Sequence, residues 1–438
     1  MKKKQLRWTL WTIASPFILF IILCILIYLP PIQNFLVDKA AVYASEATGM
    51  NISVGRISLS FPLNLVVTDV DAASPHKDTL LSVRRLQVNV QLLPLLKKQV
   101  EVDGISLQGA TVNSNDLIHG MRLNGTLGEL FISSHGVALD PETAIVNKVL
   151  LKDTDLSLCL NDTAAADTAA SDTTYWKIIL QDIDLQNVSF ALDMPLDSLS
   201  LAASLDNATL RDGLIDLHKS AYSLQTFRIK NGRVRYDSGR PSATASADSL
   251  SAGLDPSHIA LTDIGVKLDS LYYEGRNMKA IISQFVLKER SGVEIVSTEG
   301  RLVSNDKVLR VPSLKLETRD SYLELNAAMD WDALDFKKEG LVSARLMADI
   351  GKPDVVRFMG SMDEKFIRKY PSEPLRIRTG IDGDLNKLKL TTLTAELPGA
   401  LELFAKGELT SLTDSLLRGG DITLQAETKD LKFISTLA

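Results

Sequence analysis

The stretch "VEVDGISLQGATV", residues 100–112, places apolar side chains at Val100, Val102, Ile105, Leu107, Ala110 and Val112. Their spacing is two, the period of a half-buried β-strand, except across Asp103-Gly104 and across Gly109, where it becomes three. The same pattern returns in "IILQDIDLQNVSF", residues 178–190, where Ile178, Leu180, Ile183, Leu185, Val188 and Phe190 match in turn and the breaks fall at Asp182 and Asn187. A slip of one residue turns an apolar set to the opposite face of a strand. Each break is therefore read as a β-bulge, an extra residue that restores the facing and adds twist. The ribbon is expected to curl while its apolar side stays on one face.

Outward from this stretch the period of two persists. "NISVGRISLSF" (51–61), "LNLVVTDVDA" (63–72) and "LSVRRLQVNVQLL" (81–93) precede it, and "FRIKNGRVRYD" (227–237) and "KLKLTTLTAELPGALELFAKGEL" (387–409) follow at looser intervals. Short Gly, Pro, Asp and Ser punctuations separate the runs, and long helical patterns are missing between them. The fold expected is mostly β: an elongated, curled antiparallel sheet built by sequential hairpins, an open β-groove. The echoes have no fixed repeat length, which argues against a propeller or a strict solenoid. "PDVVRFMGSMDEKFIRKY" interrupts the strands and reads as a short helical insertion, one or two helices over 353–370.

The N-terminus reads differently. Lys2, Lys3, Lys4 and Arg7 precede an uncharged run from Leu10 to Leu29, and about 20 residues at 1.5 Å each span a hydrocarbon core of roughly 30 Å. We read residues 1–30 as a basic cytoplasmic tail and a single transmembrane helix, with Trp8, Trp11 and Tyr28 near the interfaces. The run is longer than a signal peptide core and ends in "YLPPIQNF", which offers no small-residue cleavage site. Residues 31–49 follow as an amphipathic helix, with Ile32, Phe35, Leu36, Val42 and Tyr43 at helical spacing and Gly49 at its cap. The expected order is then a groove over 50–352 with a low-complexity, disordered loop at 161–174, the helical insertion at 353–370, and further groove over 371–438. The final run ends in mid-pattern, so the groove is expected to continue beyond the chain end.

Charge and chemistry narrow the function. Without the four cations of the basic tail, 44 Lys and Arg stand against 54 Asp and Glu, an acidic excess that repels phosphate backbones. Nucleic acid is therefore not an expected partner. Two cysteines, Cys24 and Cys159, are too differently placed to pair. The five histidines, His76, His119, His135, His218 and His258, show no metal-ligand spacing, and no nucleophile elbow, phosphate loop or dinucleotide fingerprint is present. The acid pairs Asp153/Asp155, Asp182/Asp184 and Asp382/Asp384 read as strand-end residues that satisfy turn backbones. No enzyme, metal or cofactor is expected. In the loop, the "DTA", "DTA" and "DTT" triplets resemble the acceptor sequence for periplasmic O-glycosylation in the Bacteroidetes, which makes Thr163, Thr168 and Thr173 candidate acceptors.

The order of anchor, short helix, "ISVGRISLSFPLNLVVTDVDA" and "DTLLSVRRLQVNVQLLPLLKKQVEVDGISLQGATVNS" resembles the N-terminal region of the AsmA-like and TamB families of bacterial envelope proteins. The resemblance covers residues 1–114 and is general afterwards. It implies an inner-membrane protein whose bulk lies in the periplasm, a groove similar to those of chorein-type bridge proteins, phospholipids as cargo and an Omp85-type outer-membrane barrel as partner. The function expected is a bridge that carries phospholipids toward the outer membrane and supports its biogenesis. The alternative is a scaffold that holds outer-membrane proteins by β-augmentation. Candidate lining residues are Val88, Val90, Val100, Val102, Ile105, Leu107, Ile178, Leu180, Ile183, Leu185 and Phe190.

Overall fold

The computed structural model describes residues 39, 41–43, 45–46, 48–60, 64–74, 79–91, 102–114, 120–138, 142–161, 175–239, 253–335, 338–359, 364–412 and 418–430. The apolar run from Leu10 to Leu29 and most of the expected amphipathic helix lie outside them; the described residues between 39 and 48 are helical. No described helix is long and apolar enough to cross a membrane. The chain divides into two compact units, residues 1–167 and 168–438. Each is a curled, antiparallel sheet.

The first unit is a meander of six strands: β1 (Asn51–Ser60), β2 (Asn64–Ala73), β3 (Thr79–Val90), β4 (Val102–Asn113), β5 (Met121–Ala138) and β6 (Thr143–Leu160). Each pairs with the next in antiparallel fashion. The second unit holds β7 (Lys177–Met194), β8 (Leu199–Asp216), β9 (Ala221–Leu224), β10 (Thr226–Ser238), β11 (His258–Glu274), β12 (Asn277–Glu289), β13 (Glu294–Ser304), β14 (Val308–Thr318), β15 (Tyr322–Asp330), β16 (Leu341–Ile350), β17 (Leu375–Asp384), β18 (Lys387–Leu397), β19 (Leu401–Thr410) and β20 (Gly419–Thr428). β9 and β10 are two pieces of one ribbon laid between β8 and β11. From β10 to β20 the order is again sequential. Two helices, α1 (Lys352–Met359) and α2 (Glu364–Lys369), lie between β16 and β17.

The breaks in the period-two pattern prove to be of two kinds. At Asp103 the expected bulge is present: Asn89 pairs with Gly104 and Val90 with Val102, so Asp103 is the residue left over. At Gly109, Asp182 and Asn187 the reading is corrected, because the ladders run through all three in unbroken register. No residue is left over there because the paired strand carries a break at the same level. In the first unit Gly55, Asp69, Arg84, Gly109, Gly128 and Asp153 fall opposite one another across all six strands, by the register on either side of them. Each belongs to a pair of polar or glycine residues set between apolar ones, as in Val83-Arg84-Arg85-Leu86, except that Thr154 follows Lys152-Asp153.

On alternate strands of this seam the backbone turns left-handed, with φ 54° at Asp69, 63° at Gly109 and 49° at Asp153. Asp and Gly tolerate that region and β-branched residues do not. The facing strand must make room: a Cβ at Gly128 would lie 2.8 Å from the Cβ of Asp153. Because every strand slips phase at the same level, apolar still meets apolar on both sides of the seam. Val83 faces Val70 and Ala110, while Leu86 faces Val67 and Leu107. A second seam begins the other unit, where Asn187 (φ 51°), Asp206 and Asn231 (φ 53°) align across β7, β8 and β10. There the Asn231 amide donates to the Asp206 carboxylate.

Candidate functional site

In the first unit the structure brings the candidate lining residues into rows. Val88 faces Ile105, and the row extends through Leu59, Leu65, Val88, Ile105, Ile132 and Val149. Leu107 faces Leu86 and Leu130, and Val90 faces Val102. Val100 lies outside the described residues, as do Thr163, Thr168 and Thr173.

In the second unit Ile178, Leu180, Ile183, Leu185 and Phe190 on β7 face Ile215, Gly213, Leu210, Ala208 and Ala203 on β8. From Ile183 one row runs without interruption through Leu210, Phe227, Leu268, Ile282, Gly300, Leu314, Leu325, Leu346, Thr379, Leu393, Ala405 and Leu424. Thirteen strands at about 4.8 Å make a stripe of roughly 60 Å along that row. The sequence reading placed lining residues only on β3, β4 and β7. It missed β14–β19, whose plain alternation gave the clue: Leu314, Leu316, Leu323 and Leu325 recur at the same period.

The face that carries these rows is the more occluded one. Buried strand residues such as Val83, Ala110, Ala208, Ala348, Leu388 and Ala405 all belong to it, and so do the buried hydroxyls Thr154, Thr298 and Thr318. In a curled single sheet the inner face is shaded by its own neighbours, which accounts for the burial of the small residues. The large ones keep some exposure: every member of the Leu59–Val149 row is half-buried rather than buried. Packing runs almost wholly between neighbouring strands, with no second sheet laid across either unit among the described residues. A β-sandwich would have closed such a face over a filled core.

One place is covered. Phe366 and Tyr370 of the helical insertion pack with Leu397 and Ala400 at the ends of β18 and β19, with Val355 and Leu375 against them, and the two rings meet edge-on at 5.6 Å. The insertion is pinned by Asp354, only 1% exposed. Its carboxylate accepts hydrogen bonds from Ser321 Oγ at 2.6 Å and from Thr318 Oγ1, and forms an ion pair with Arg357 at 2.9 Å. Arg357 also reaches Asp320 at 2.8 Å. Burial pushes the Asp354 carboxyl up, but the Ser321 and Thr318 hydroxyls and the Arg357 guanidinium together hold it below the usual carboxylate range.

The acid pairs are engaged structurally. Arg211 bridges Asp182 and Asp184 across β7 and β8, with 3.0 Å to the latter. Asp382 accepts from Ser343 Oγ at 2.6 Å. Asp384 behaves as the turn reading expects, accepting the Asn386 and Lys387 amides at 2.7 and 2.9 Å. Among the described residues no group of three or more His, Cys, Asp or Glu is arranged to hold a metal ion.

Fold and site thus define a class: curled antiparallel sheets that keep an apolar face without a covering layer. No protein-family model matches the chain, and none of the curated proteins matches it either.

Proposed function

We propose that the chain carries phospholipids along this apolar face, with acyl chains against the rows and headgroups in water, in a path from the inner membrane toward the outer membrane. One observation carries the reading: the continuous row from Ile183 to Leu424, apolar except at Gly300 and Thr379 and left largely without a protein layer above it. Apolar surface left to water costs about 25 cal/mol per Å², and contiguous patches above a few hundred Å² mark interaction sites. Acyl chains are fluid, need no fixed partner and fit a stripe that changes residue at every strand. In this reading Leu10–Leu29 is the anchor in the inner membrane, the sheets stand in the periplasm, and an Omp85-type barrel is the receiving partner. No bond is made or broken, so no enzyme chemistry or cofactor is required.

The test is transfer of labelled phospholipid between donor and acceptor vesicles. A double variant, Val102→Asp with Leu185→Asp, places a carboxylate on the apolar face of each unit and should lower the transfer rate at least tenfold, with the β-sheet circular-dichroism signal retained. Undiminished transfer by the folded double variant would overturn the proposal.

A second reading is favoured by one feature. β20 is exposed at every residue and pairs only with β19 among the described residues, which is how an edge that accepts another strand looks. Polypeptide rather than phospholipid co-purifying with the native chain would support that scaffold role.

A further inference from the structure

The strands of the second unit end alternately on two rims, and the rims differ in chemistry. One is formed by the start of β7, the β8–β9 turn, the β11–β12 turn and the β15–β16 connection. It carries every exposed tyrosine of the unit, Tyr175, Tyr222, Tyr272 and Tyr273, and both of the unit's tryptophans, Trp176 and Trp331. The tyrosines straddle the edge of the apolar face. Ile178, Ile215, Tyr222, Tyr273 and Met278 form one row of that face, the two tyrosine rings lying 6.1 Å apart. Tyr272 falls on the opposite side of its strand and donates its hydroxyl to Glu274.

Lys219 and Arg276, with His218 next to the first, stand in the turns between these rings. His218 lies against Tyr175, with ring centroids 5.6 Å apart, Lys219 is exposed beside it, and the Arg276 guanidinium sits 5.6 Å over Trp331. Of the acids beside them, Glu274 accepts from Tyr272, Asp216 accepts the Lys219 amide at 3.1 Å, and Asp306 accepts from Asn277 Nδ2 at 3.3 Å.

The other rim is closed to a headgroup over its later strands. The helical insertion seals the face there, with Leu397 and Ala400 buried beneath Phe366 and Tyr370. On the opposite face of the same strand ends Glu396, Glu402 and Glu427 line up on three adjacent strands, with Arg376 3.5 Å from Glu396 and Lys429 paired to Glu402.

Resting on the lipid-carrying reading, we propose that phospholipid headgroups project over the tyrosine rim alone, so that every lipid lies across the sheet in the same orientation. Tyrosine and tryptophan take up the boundary between hydrocarbon and water because one end of each ring system is apolar and the other donates a hydrogen bond. The cations among them suit the phosphate, and the opposite rim is closed over its later strands by the helical cover. A lipid that met both rims equally would have to turn over as it moved; a single permitted rim removes that step.

The full-length chain, incubated with phosphatidylethanolamine vesicles doped with one of two photoactivatable phospholipids, tests this by peptide mapping of the adducts. A diazirine on the acyl chain should label β7–β12 residues of the apolar face, Ile183 and Leu185 among them. A diazirine on the headgroup should label residues 175–177, 217–222 and 272–276 at least fivefold more than residues 195–198, 254–258 and 396–402. Tyr222→Ser with Tyr273→Ser should reduce that preference and leave the acyl adducts in place. Headgroup adducts shared equally between the rims, or concentrated on the rim opposite the tyrosines, alongside acyl adducts on the apolar face, would overturn the inference and leave the lipid reading standing. Absence of acyl adducts from β7–β12 would defeat the lipid reading and this inference with it.

Discussion

The first six strands and the last seven keep an apolar face continuous by different means. In β1–β6 every strand breaks its period at one shared level, and left-handed Asp69, Gly109 and Asp153 carry that break without disturbing register, while the Asp103 bulge and the shifts next to Ala73 and Ser134 lie apart from it. In β14–β20 none of the non-glycine strand residues takes a positive φ, and the ladders instead absorb single-step shifts between Val311 and Leu314, Gly380 and Ile381, and Leu390 and Leu393. Those later strands also have a helical cover over part of the face, for which the first unit has no counterpart among its described residues. A seam of special backbone residues makes the face depend on single positions. Scattered shifts with a local cover make it depend on packing at one corner.

The largest effect should come from unpinning that cover. Asp354→Ala removes the partner of Thr318, Ser321 and Arg357 at a site shut off from water, and should cost about 4 kcal/mol of stability in urea unfolding. Asp354 also makes the later strands acid-sensitive. Its folded-state carboxyl lies below the ordinary value of 3.8, so its contribution is complete above that value and is lost as the pH falls through the folded one. Asp354→Asn should therefore flatten the acid limb of the stability profile, and an unchanged limb would show that the pin carries no charge-dependent stability.

Next in size, Leu397→Ala should cost about 3 kcal/mol, since Leu397 is 4% exposed beneath the helices. Gly109→Val asks a β-branched residue to take φ 63°, with a Cβ 3.0 Å from the Arg84 side chain, and should cost about 2 kcal/mol. Gly109→Asn should fall below half of that, because asparagine tolerates the left-handed region. Equal losses for the two variants would remove the distinction between a seam and an ordinary strand. The smallest effect is expected at Leu325→Ala, about 1 kcal/mol, because the half-buried Leu325 sits on the uncovered stretch of the same face as Leu397. A loss as large as that at Leu397 would mean that Leu325 is covered after all.

Much of this was legible in the chain. Period-two alternation marks the strands, and the pairs Asp103-Gly104 and Gln108-Gly109 mark where the phase slips, because side-chain facing in a strand depends only on sequence parity. The helices of the insertion also follow from local spacing. Whether a break costs an extra residue was not legible, since that depends on what the neighbouring strand does at the same level. Asp103 meets an unbroken partner and bulges; Gly109 meets Arg84 and Gly128 in their own breaks and does not.

The sequence by itself determined that this protein is a chain of antiparallel strands with one oily side and an apolar N-terminal run. Only the tertiary structure decided that the breaks align into seams, that the apolar rows join from Ile183 to Leu424, and that the tyrosines gather on one rim. The reason is physical: facing is a local property of the backbone, whereas register and rim are fixed by turn lengths and by contacts between residues far apart in the chain.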